Sequence, residues 1–149
     1  MDAISAFLHL SDREFVAAFE TCSFPPGDFH HAGHLRLTRI YLRELGEARA
    51  QQKMLDGIAK LAMQAGAPKK FHYTATVAWV RLVAAAVAQD PSEVSFQEWI
   101  LRFPDLNKKD LLSLHFSPER FGSEQARVSW MEPDLRPLVA PVKNIGQAV

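Results

Sequence analysis

With 149 residues the chain has the length of one ordinary domain, and 17 lysines and arginines set against 17 aspartates and glutamates leave a formal net charge of zero. No global field draws such a chain to nucleic acid or to an anionic membrane, so any partner must be recognised locally. Cys22 is the one cysteine; that excludes an internal disulfide framework and a multi-cysteine zinc site, fits a reducing cytoplasm, and leaves the thiol as a small apolar residue in a helix.

The opening "MDAISAFLHLSDREF" has no basic region, sustained apolar run or small-residue cleavage site, so it does not read as a secretory signal. The most apolar window, "TATVAWVRLVAAAVAQ", is broken by Arg81 and falls short of the ~20 residues that span a bilayer. A soluble cytoplasmic protein is expected. Apolar residues recur at helical spacing almost throughout, and no β-branched run alternates with polar residues between turn signals. The fold is therefore predicted as all-α: a single helical domain over residues 1–149, with a four-helix bundle-like core over 11–90 and short helices and an extended tail over 91–149.

In chain order, Ser11 and Glu14 in "SDRE" have the form of a capping box ahead of Phe15, Ala18 and Phe19, and the helix ends before "SFPPGD". Asp28 is the predicted N-cap of a second helix reaching Leu45 and closed by Gly46. A third helix over 48–65 places Met54, Leu55, Ile58, Leu61 and Ala62 at core spacing, and a fourth, alanine-rich, covers 71–90. Ser95 and Glu98 form a second capping box in a segment stopped by Pro104. Both "NKKDLLSLHF" and "SPERFGSEQARVSW" read as short helices, the latter with Ser117 at the cap and Pro118 at the first helical position. The tail "MEPDLRPLVAPVKNIGQAV" has no periodicity and is expected to wrap the surface or be partly disordered.

The stretch "GDFHHAGHLRLTRIYLREL" puts three histidines within five positions at a helix start. At ~100° per residue, His31, His34, Leu35, Leu37, Thr38, Tyr41, Leu42 and Leu45 share an arc of roughly 160° with His30 near its edge, while Arg36, Arg39, Arg43 and Glu44 lie opposite as a solvated face. On the fourth helix His72, Thr76, Trp79, Val80, Val83 and Val87 share an arc of roughly 100°, with Thr74 and Arg81 on the far side. Alternate helices of an up-and-down bundle run parallel, so His31, His34 and His72 are expected to converge at one end, with hydroxyls of Thr38, Tyr41, Tyr73 and Thr76 nearby.

The segments "FHHAGHLRLTRIYLREL", "GAPKKFHYTATVAW" and "FPDLNKKDLLSLHFSPERFGSEQARVSWMEPDLRPL" together resemble a group of small, uncharacterised all-helical bacterial proteins. That group pairs an F-x-H-x-x-H helix start with a Y-H-x-T-x-T segment and a W-x-x-P-D-L ending. The matching positions are His31, His34, His72, Thr74, Thr76, Leu111, Ser117, Pro118 and Glu132 to Leu135; Gly33 stands where an acidic residue is common and Phe71 where tyrosine is usual. The resemblance singles out residues and implies no reaction.

Two functional classes follow. In the first, His31, His34 and His72 are catalytic or metal-ligating: three neutral imidazoles and a water suffice for zinc, and a carboxylate such as Asp28 or Glu20 added to them suits non-haem iron. Without a metal, one histidine would act as general acid or base on a small molecule in a pocket walled by Phe29, His30, Thr38, Tyr41, Tyr73, Thr76 and Trp79. In the second, the protein is a non-enzymatic helical adaptor or regulator whose histidines form a structural hydrogen-bond network and whose C-terminal segment contacts a partner. His115 is read as a local packing residue ahead of the Ser117 cap, His9 carries no role, and Lys69 and Lys70 belong to a solvated loop. No phosphate-binding glycine loop, nucleophile elbow or EF-hand ligand series is present.

Overall fold

Local capping chemistry explains most element boundaries. The computed structural model describes residues 9–23 and 30–144, and every regular element among them is helical. Helix α1 spans Asp12–Glu20, and both halves of its capping box form: Ser11 Oγ accepts from the Glu14 N–H at 3.1 Å while Glu14 Oε1 accepts from the Ser11 N–H at 2.8 Å. Cys22 lies just beyond the helix rather than within it, buried in a turn at φ +53°.

Helix α2 runs His31–Leu45. The predicted cap Asp28 lies outside the described residues, and His30 occupies the N-cap position without a side-chain capping bond. Gly46, at φ +85°, ends α2 and opens α3, Glu47–Gln64, in one corner that only glycine adopts without strain. A single 3₁₀ turn, Pro68–Lys70, precedes α4, Tyr73–Gln89, whose start falls two residues later than predicted because His72 is its cap. Helix α5 is Phe96–Ile100. The segment read as one helix from Ser117 onward is two, α6 at Pro118–Phe121 and α7 at Glu124–Val128, because Ser123 caps a second start by accepting from the Ala126 N–H.

Helices α2, α3 and α4 pack against one another pairwise, and α1 lies against α2. Leu35, Leu37, Met54, Val80 and Val83 are buried between them, in one continuous cluster with Trp99, Phe103, Leu106 and Phe116 from beyond α4. Gly57, which in mid-helix would cost about 1 kcal/mol relative to alanine, makes room for α1: a Cβ there would overlap the buried Phe19 ring. Among the described residues, no helix is long and apolar enough to cross a membrane.

Candidate functional site

The predicted histidine site depends on how α2 and α4 line up. Their direction is as expected: the His31 ring meets Trp79 edge-on at 4.6 Å, and further along α2 Arg39 reaches the carbonyls of Ser92 and Val94, just past the end of α4. Their register differs from the expectation. His31 is level with Trp79, seven residues beyond His72, which at 1.5 Å per residue sets His72 about 10 Å further down the axis. Among the described residues, no group of three or more histidine, cysteine or acidic side chains is placed to hold a metal, so the trio His31, His34 and His72 is not assembled as a ligand set.

Each ring has its own task. His72 Nδ1 accepts the Ala75 N–H at 3.0 Å as the cap of α4, and Nε2 lies 2.7 Å from the carbonyl oxygen of Phe121, whose ring stacks on the imidazole at 4.2 Å. A carbonyl only accepts, so the proton resides on Nε2 and both nitrogens are committed to main chain. His31 Nε2 likewise donates to Leu106 O at 2.8 Å. Burial holds the His31 imidazole below its ordinary pKa, and the Leu106 bond opposes that only in part. His34 Nε2 is shielded from solvent, and burial, with His31 beside it, pushes its pKa down to about 4. Both rings are therefore neutral at pH 7.

The remaining expected residues scatter. Thr38 and Thr76 hydroxyls donate to the carbonyls of His34 and His72, one turn back, at 2.7 and 2.8 Å. Tyr41 donates to Glu20 Oε2 at 2.6 Å and joins α2 to α1; burial and that carboxylate raise its pKa. Glu20 is thereby engaged away from the histidines. Trp79 is buried beside His31, Tyr73 is partly buried at the start of α4, and His30 is exposed. Phe29, like Asp28, lies outside the described residues.

No known protein family, curated protein or solved structure matches this chain. The assignment of its residues rests on their chemistry.

That chemistry is directed at the segment after α4. The Thr74 hydroxyl donates to Ser129 O at 2.8 Å and accepts the Met131 N–H at 3.1 Å, as a paired strand residue would, and the Arg81 guanidinium lies 4.1 Å over Trp130. The face of α4 opposite the His72 arc, where Thr74 and Arg81 lie, is thus where the C-terminal segment is sewn on. His115 is buried and its Nδ1 donates to Arg136 O at 3.2 Å. The Asp134 carboxylate accepts both the N–H and the hydroxyl of Ser117, and Arg120 Nε donates to Glu132 O. Positions singled out by the sequence pattern, Ser117 and the "EPDL" stretch, therefore close one knot.

Two residues escaped the sequence reading. Asp90, 4% exposed, receives the Ser92 N–H and hydroxyl, Arg102 Nη1 at 2.6 Å and Lys143 Nζ at 3.0 Å. These bonds outweigh its desolvation and hold its carboxyl below the usual carboxylate range. A carboxylate at a helix C-terminus opposes the helix dipole, and that was the available signal that tertiary cations must answer it. The second is Arg39. The helical wheel places it on a solvated face, yet it is 3% exposed: Nη2 donates to Ser92 O and Val94 O, and the guanidinium lies over the Trp99 ring at 5.1 Å. The loop 91–95 and α5 cover what an isolated α2 would leave in water, which no periodicity within α2 reveals.

Proposed function

We propose that the protein is a cytoplasmic, non-enzymatic helical adaptor in which His31 and His72 are structural donors holding an irregular C-terminal segment against a helical core, and His115 ties that segment to itself. The observation that carries this reading is His72, whose two ring nitrogens are both spent on main-chain groups, leaving no lone pair for a metal and no free site for proton transfer. A chain needing only a core could use leucine there; a chain that must fix carbonyls of a segment with few regular backbone bonds needs donors. In the same segment the exposed Leu114, Val139 and Val142 line one cleft of about 420 Å³, which supports it as the place that meets a partner.

The experiment is metal analysis of untagged protein combined with unfolding of His72→Leu and His31→Gln variants. The expected outcome is no stoichiometric zinc or iron, no shift of the melting transition on adding either, and a loss of about 1–2 kcal/mol for His72→Leu from the missing cap and carbonyl bond. Stoichiometric zinc or iron that both variants release would overturn the adaptor reading in favour of a metal site at His31, His34 and His72.

A further inference from the structure

The buried Arg39 lies in a cleft with more positive than negative charge. The cleft, about 280 Å³, is lined by Ser11, Asp12, Arg36, Arg39, Arg43, Glu93 and Ser95 among others. Arg36 is bridged to Asp12 at 3.0 Å and donates to Leu10 O. Arg43 is only 3.7 Å from Glu93, whose carboxylate is 92% exposed and therefore screened by water. Three guanidinium groups thus face two carboxylates, and the uncompensated one is the most deeply buried.

Arg39 carries its charge among carbonyl oxygens and an indole face. Its Nη2 has the Ser92 and Val94 carbonyls, while its Nε, shielded from solvent, meets no acceptor. A buried cation is costly without a close counter-charge: burial holds the Arg39 pKa down to about 10, Arg43 adds repulsion, and Asp12 and Asp90 offset this only in part, neither carboxylate being bonded to Arg39. The hydroxyls of Ser11 and Ser95 accept the capping N–H groups of Glu14 and Glu98, so each retains a proton to donate at the cleft wall.

We propose that this cleft binds the oxyanion of a small ligand, a phosphate or a carboxylate group, seated against Arg39 and Arg43 with Ser11 and Ser95 as neutral donors. The guanidinium fork matches either group, and the anion supplies a directly bonded counter-charge where the carboxylates of Asp12 and Asp90 act on Arg39 only from a distance. Recognition here is independent of the histidine network and stands whether or not that network is structural.

The test is calorimetric titration and thermal unfolding with inorganic phosphate and with acetate, each against sodium chloride of matched ionic strength. Wild-type protein is expected to bind phosphate or acetate saturably and to melt higher in it than in chloride, and the better of the two identifies the oxyanion. Arg43→Gln, at the cleft rim, is expected to weaken binding about tenfold while the protein stays folded, and Glu93→Gln to tighten it several-fold. Arg39→Met, which also removes the Ser92 and Val94 bonds, is expected to abolish binding, and hydrogen exchange in the 91–95 loop reads its structural part separately. Equal melting in oxyanion and chloride, or binding unchanged in Arg43→Gln, would overturn the proposal.

Discussion

The two halves of the molecule share one apolar cluster but satisfy their main chains differently. From α1 to α4, apolar side chains at helical spacing interlock, and backbone groups satisfy one another inside long helices. Beyond Asp90, helices are one turn or little more, so part of the main chain is satisfied by side chains: from the long helices by His31 at Leu106, His72 at Phe121, Thr74 at Ser129 and Gln89 at Pro141, and within the wrap by His115 at Arg136. The core depends on apolar burial and packing density, with little demand on direction. The wrap adds to the same burial, through Trp99, Phe103, Leu106 and Phe116, a set of donors at fixed angles.

The largest predicted effect falls on the core. Phe19→Ala, which empties the seat above Gly57, is expected to cost about 4 kcal/mol in urea unfolding, with α1 loosened from α3. Retention of wild-type stability would mean that α1 contributes nothing to the core.

Next in size is a pH effect on the histidines. His34 titrates at about 4 in the folded protein against an ordinary value of 6.5, so the unfolded chain binds more protons between these limits. Stability is therefore present above pH 6.5 and lost as pH falls toward 4, by up to about 3 kcal/mol. His31 adds loss in the same direction. In His34→Gln the slope of unfolding free energy over that range should fall markedly; an unchanged slope would assign it to other groups. Asp90 acts in a separate window: its carboxyl lies below the usual range, so its contribution is lost only at more acidic pH.

Smallest is a cut in the wrap. Thr74→Val keeps the volume and removes both bonds to Ser129 and Met131, with an expected cost of about 1–2 kcal/mol. Faster amide exchange at Met131 with unaltered exchange in α2 would confirm that the two halves loosen separately; uniform acceleration would show them to be one cooperative unit.

How much the sequence revealed follows the same division. The long helices, the Ser11 box, the Gly46 corner and the Ser117 cap were legible because each is governed by residues within a few positions of one another. His72, the N-cap of α4, packs on Phe121 instead, but the facing of His31 onto Trp79 was legible too, since a helical wheel gives azimuth. Their height was not: a wheel carries no information on stagger, and the shift of about 10 Å between α2 and α4 comes from packing around Trp79 and Leu106. Arg39 was misread for a related reason, because the wheel marks which side is polar without marking what later chain covers it.

Asp90 also decides where the far end of the described chain is pinned. Its carboxylate is neutralised by Arg102, near in sequence, and by Lys143, whose neighbour Asn144 donates its N–H to Arg102 O. With the Pro141 carbonyl accepting from Gln89 Nε2, these bonds bring the 141–144 stretch back to the end of α4. One acid at a helix terminus thereby acts as a mooring point for a stretch without regular structure, and removing its charge would free both cations that meet there.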